Sequence, residues 1–142
     1  MITLYEEKAT DYTSDGLGLL DRFIIDPIVS EDLNGSFDLR FKYPLFAPRG
    51  TDIANKNLVK ASVPGGSQQL FRIHRTIKQL GYIEAHARHI SYDLADNLIE
   101  DTNIVGKTGQ AALQQLGGAT QYPHDFQFVS NISTVNNARW SD

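Results

Sequence analysis

The sequence predicts an α+β fold built on a mainly antiparallel, barrel-like β-sheet with two short helices. Three observations predict it. Runs of alternating apolar and polar residues come in pairs, joined by turn dipeptides at Asn34-Gly35 and Leu80-Gly81. Helical spacing is confined to two short stretches beyond Ser91. Strands come first, helices follow, and one further strand closes the order, a segregation that favours an antiparallel sheet over a parallel one.

Each element follows from its residues. Residues 2–6 alternate like a short strand, and Lys8 to Gly18 is polar and glycine-containing, hence a loop. Arg22 to Glu31 and Ser36 to Tyr43 form the leading hairpin around Asn34-Gly35. Pro27 donates no ladder hydrogen bond, so the first of these strands is an edge or is bulged there. A two-residue turn sets Leu33 opposite Ser36 and Ile28 opposite Phe41. It gathers Phe37, Leu39, Phe41 and Tyr43 on a dry face, with Asp38, Arg40 and Lys42 on the wet one. Pro44 to Asn57 reads as a loop. Leu58 to Val63 is a strand broken by Pro64-Gly65-Gly66-Ser67, and Gln69 to Gln79 pairs with Tyr82 to Ile90. Ser91 caps a helix over Tyr92 to Ile99, with Asp93 in its first turn and Leu94 and Leu98 on one face. Thr108 caps a second helix from Gly109 to Leu116, ended by Gly117. Asp125 to Val129 is the last strand, and Asn131 to Asp142 is a polar tail apart from Ile132, Val135 and Trp140.

With 142 residues the chain is long enough to bury a core without a metal or disulfide staple, and it has no cysteine. Met1 leads straight into strand-like residues, with no basic and apolar leader pattern. The apolar runs are too short to span a bilayer. The formal charge is −4, and only Arg72, Arg75 and Lys78 cluster among the basic residues, which argues against a specific nucleic-acid surface.

The residues that carry chemistry elsewhere do not assemble a motif here. His86 and His89 are three apart, which on a strand sends them to opposite faces. A three-residue turn over Gln79 to Gly81 sets His74 opposite His86, a pair still short of a third ligand; His124 stands alone. Gly106-Lys107-Thr108 resembles the end of a phosphate-binding loop, but Asp101 occupies the position of the required first glycine. Asp93, Asp96, Glu100 and Asp101 read as the solvated face of a short helix, lacking the alternating oxygen ligands of a calcium loop. Ser67 and Ser91 have no activating neighbours. Asn34-Gly35-Ser36 and Asn131-Ile132-Ser133 match the glycosylation pattern by chance, the first being explained by the turn. Tyr43, Tyr82, Tyr92, Tyr122 and Trp140 read as packing residues, with a sugar-stacking role as the rival reading. No catalytic, cofactor-binding or metal-binding residue is assigned, and no enzymatic activity is expected.

Five stretches taken together resemble one family. They are Met1-Ile2-Thr3-Leu4-Tyr5, Gly18-Leu19-Leu20-Asp21, Glu31-Asp32-Leu33-Asn34-Gly35 with Phe37-Asp38-Leu39, Gln69-Leu70-Phe71-Arg72-Ile73, and Ala87-Arg88-His89-Ile90-Ser91-Tyr92-Asp93-Leu94. In this order they resemble the N-terminal region of the phage and prophage tail hub family, the minor structural and tail-associated lysin proteins of siphophages. The resemblance implies a fold like the central hub of contractile tails and a trimer at the tail tip. It also implies contact with the distal tail protein and other tip components, and a place in the virion after assembly in the bacterial host cytoplasm. The alternative it leaves open is the anchoring N-terminal part of a tail-associated cell-wall endopeptidase whose catalytic module is absent here. Family hub regions usually run longer, and Arg139-Trp140-Ser141-Asp142 reads as the approach to a helix capped by Ser141 or Asp142. Residues 1–142 are therefore expected to be a tail hub N-terminal domain, a fragment of a longer protein.

Overall fold

The alternation along Phe37-Asp38-Leu39-Arg40-Phe41-Lys42-Tyr43 determines the centre of the molecule. In the computed structural model, which describes residues 1–140, Leu39, Phe41 and Tyr43 are at most 1% exposed while Arg40 faces solvent. This strand, β4 (Phe37–Pro44), lies between β3 (Ile25–Glu31) and β7 (Tyr82–His89). The sheet continues through β6 (Gln68–Lys78), β5 (Leu58–Ser62) and β1 (Thr3–Tyr5) to β2 (Gly18–Leu19), so its order is β2-β1-β5-β6-β7-β4-β3, antiparallel throughout. It curls into a half-barrel. On the buried face, Ala85 and Ala87 of β7 lie opposite Phe41 and Leu39. Small residues beside large ones let a curved inner face close without overpacking. Leu4, Leu20, Val59, Phe71, Ile73 and Ile83 complete the core.

The chain falls into two compact units, Met1–Ile90 and the residues from Ser91 onward. In the first unit the strands lie where the sequence places them, with two corrections of register. Type I′ geometry needs positive φ at both central residues, and only Asn34 (φ 58°) adopts it. Gly35 does not, and the loop takes one more residue: Gly35 N–H donates to Asp32 O (3.0 Å) and Asp32 N–H to Ser36 O (2.8 Å), so that Leu33, Asn34 and Gly35 together make the turn. Val29 therefore faces Leu39, and Ile28 faces Arg40, where it is 44% exposed, in place of the expected contact with Phe41. A one-residue slip exchanges the two faces of a strand. Pro27 does mark an irregularity at an edge: the register shifts between Ile25 and Ile28, and Asp26 takes φ 47°.

The second correction concerns β6 and β7. Leu80-Gly81 forms a two-residue turn closed by Gln79 N–H to Tyr82 O (2.8 Å). Arg75, not His74, then faces His86, and His74 is the extra residue where the register shifts between Ile73 and Arg75.

The second unit departs further from expectation. A 3₁₀ helix over Ile90–Asp96 replaces the α-helix expected over Tyr92 to Ile99. Residues 98–100 are drawn out of helical form by pairing with 119–121: Gln121 N–H donates to Leu98 O (2.7 Å), Glu100 N–H donates to Ala119 O (2.8 Å), and Ile99 bridges Thr120. The Asn97 amide completes the ladder by bonding both Tyr122 N–H (3.0 Å) and Tyr122 O (2.9 Å).

β8 (Thr102–Lys107) follows, with Thr102 and Ile104 buried, and pairs with β9 (Asn136–Trp140) inside what reads as a polar tail. The caps proposed at Ser141 or Asp142 lie outside the described residues. α1 (Gly109–Gly118) begins at Thr108 as expected, the hydroxyl accepting Ala111 N–H. It does not stop at Gly117. A Cβ there would lie 2.8 Å from the Phe128 ring, so Gly117 is required by close packing and not by a terminal turn.

Asp125 to Val129 makes no strand. A side chain takes the place of a neighbouring backbone: the Gln110 amide donates to Phe128 O (2.8 Å) and accepts from Ser130 N–H (2.7 Å). No helix among the described residues is long and apolar enough to cross a membrane.

Candidate interaction surface

β3 is one edge of the sheet, bonded to β4 alone. In an antiparallel pair the residues alternate between bonded and unbonded positions. Asp32 bonds Ser36, so Ser30 and Ile28 continue the bonded set while Val29 and Glu31 turn their N–H and C=O groups away from β4. The open edge is therefore short, bounded by the bulge at Pro27 and the turn at Leu33. Short, bulged edges resist indiscriminate pairing while leaving room for a defined neighbour. Beside it lies a groove of about 450 Å³ lined by Pro27, Ile28, Arg40, Lys42 and Glu84.

The outer face of β4, β7 and β6 is more basic than the sequence spacing suggests. Arg40, His86 and Arg75 form one row across three strands, and Arg88 faces Arg72 in the next. Asp38 pairs across from Arg88, and Lys42 from Glu84. Lys42 Nζ sits 5.4 Å from the centre of the Tyr82 ring. Charges at every second position of β4 and β7 are the signal for this face in the sequence, but the rows appear only once the register is known.

The histidines do not converge. His86 Nε2 lies 2.8 Å from Glu84 Oε1 on the outer face. His74 is lowered from its ordinary pKa, first by burial, then by Arg88 with His86 and Arg75, against Asp38. His89, on the opposite face as expected, stacks on Phe37 at 4.6 Å and meets Phe71 edge-on. Its Nε2 is 3.0 Å from Gln69 Oε1. His124, in the second unit, donates through Nε2 to Gly117 O and accepts Phe126 N–H at Nδ1. Among the described residues no group of three histidine, aspartate or glutamate side chains is placed to hold a metal ion.

Burial lowers the pKa of His89, with Glu31 opposing. The unfolded chain, with an ordinary histidine pKa of about 6.5, then binds more protons, so stability is complete above that value and is lost as pH falls through it toward the folded pKa. Exposed His74 adds a smaller contribution of the same sign, screened by solvent. We expect the urea midpoint to drop between about pH 7 and pH 5, and His89→Phe to flatten part of that slope. A variant as acid-sensitive as the parent would rule out His89 as a source.

The other residues marked in the sequence are dispersed. Asp93 and Asp96 lie on the 3₁₀ helix, and exposed Asp101 stands 3.9 Å from Arg139. Gly106 and Lys107 end β8, and Thr108 serves as the helix cap. Ser67 accepts Val63 N–H at its backbone oxygen, closing the β5–β6 turn. Tyr43 is buried in the core of the first unit, while Tyr92 and Tyr122 belong to the second. No family model, curated protein or solved structure matches the chain.

Proposed function

We propose that this chain is a structural component of a phage or prophage tail tip, the N-terminal part of a baseplate hub that joins the distal tail protein and the tube to the tip. The observation that carries the reading is the open half-barrel. Its edge β3 exposes a short unpaired ladder beside a groove, and large apolar side chains stand on its turns. A sheet that stops short of closure, with defined edges and no convergent reactive groups among the described residues, suits a body completed by neighbouring subunits. The ordered stretches from Met1 to Leu94 that resemble the hub family add the identity of the assembly. In this reading the full-length protein is a homotrimer in the virion, and its work is geometric.

Size-exclusion chromatography with light scattering tests it. The expected species for the full-length protein is a trimer that binds the distal tail protein. A monomer at high concentration that ignores the distal tail protein overturns the proposal.

A further inference from the structure

Two apolar side chains stand in solvent at one end of the first unit. Phe46 is 85% exposed and Leu80 fully so. Their loops are joined next to these residues, where Leu45 N–H donates to Gly81 O (3.1 Å). Leu33, also exposed, belongs to the turn at the other end of β4. The Phe46 loop is stiff: Ala47 N–H bonds Pro44 O, Gly50 N–H bonds Ala47 O, Asp52 N–H bonds Arg49 O, and Ala47 itself is buried. A rigid, paired apolar tip loses little freedom on docking.

The second unit holds a cleft of matching chemistry. Leu94, Ile99, Leu113, Leu116 and Phe128 line an open apolar space of about 180 Å³. Cavities on the order of 150 Å³ hold benzene, the ring of a phenylalanine, whereas drug-sized ligands need roughly 300–1,000 Å³. The polar residues of its wall are already bonded, Asn97 through both amide atoms to Tyr122 and the Thr120 hydroxyl to Gly117 O and Tyr122 O. Charge is complementary too. Beyond Ile90 the only basic residues are Lys107 and Arg139, so the whole net charge of −4 resides in the second unit, with exposed Asp96 and Glu100 flanking the cleft residues. The tip carries exposed Lys78 just before its turn and Lys42 beneath it.

We infer that the Phe46–Leu80 tip of one copy docks in the apolar cleft of the second unit of another copy, a head-to-tail contact between identical chains. Such heterologous contacts build rings when the rotation closes. The inference rests on the assembly reading above and names the contact within it.

The absence of cysteine makes the test clean. Gln79→Cys and Leu98→Cys are prepared separately, Gln79 being exposed beside Leu80 and Leu98 an exposed neighbour of the cleft. The two proteins are mixed and treated with a short thiol crosslinker. A crosslinked heterodimer several-fold more abundant than either homodimer is the expected result. Homodimers alone, or no crosslinked product, overturn the contact. As a second measurement, Phe46→Ser with Leu80→Ser, both surface positions, should weaken self-association at least tenfold in sedimentation velocity. Undiminished assembly in that variant removes this contact and leaves the hub reading standing. An unaltered chain that never associates removes both.

Discussion

Replacing Phe41 with alanine is expected to cost about 3–5 kcal/mol and to bring the first unit close to unfolding. Phe41 is fully buried on β4, between Ala85 on β7 and the core contributed by the remaining strands. Its cross-strand neighbour is already the smallest side chain that fills a sheet position, so nothing adjacent can swing in to occupy the space. The curved face holds the surrounding strands apart, and the cavity persists. Urea denaturation followed by tyrosine fluorescence should show a large fall in midpoint with little change in slope. Ile28→Ala supplies the contrast. In the register observed, Ile28 faces Arg40 on the solvent side, and its truncation should change stability by no more than about 0.5 kcal/mol. In the register with a two-residue turn, Ile28 would lie against Phe41 and its loss would cost several times more. The pair of variants therefore reads out which face of β3 is dry, and a costly Ile28→Ala would overturn the observed pairing.

The strands of the first unit were legible because their alternation is strong and each face has one solvent. The dry set on β4 follows directly from Phe37 to Tyr43. Register was less legible, since it depends on a single residue at each turn. The leading turn takes in Leu33 beside Asn34 and Gly35, and Leu80-Gly81 closes in two residues where the three of Gln79 to Gly81 set His74 against His86. Those small choices decide which histidine meets which arginine, and so the basic row of Arg40, His86 and Arg75 was hidden in the spacing. The second unit was harder to read because side chains there stand in for backbone. The Asn97 and Gln110 amides satisfy the main-chain groups of 122, 128 and 130, and no period in the sequence announces that. β8 had a weak signal in Thr102-Asn103-Ile104-Val105, but its partner β9 comes from a polar segment with no pattern of its own. The apolar tip at Phe46 and Leu80 reads in sequence only as two loop hydrophobes; their adjacency is tertiary.

Gly50→Ala should have the second-largest effect, and it links stability to that tip. The backbone at Gly50 folds against the preceding turn so closely that a Cβ would lie 2.3 Å from Leu45 O and 2.8 Å from Pro44 O. Both obstacles are backbone, so no flexible side chain can move aside, and the loop itself must shift. Overpacking of this kind costs typically about 1–3 kcal/mol, and a clash with main chain belongs at the upper end. The displacement falls on Leu45, whose N–H holds Gly81 O, and on Phe46 beside it. The variant should therefore lose the protection of the Leu45 amide in hydrogen exchange before the central β4 and β7 amides lose theirs. It should also associate with itself less well at concentrations where its fold is intact. If Gly50→Ala were as stable as the parent, the close approach of residues 44–50 would be wrong, and with it the rigid presentation of Phe46. If stability fell but self-association held, the loop would be a structural buttress only, and the docking contact would have to lie elsewhere on the half-barrel.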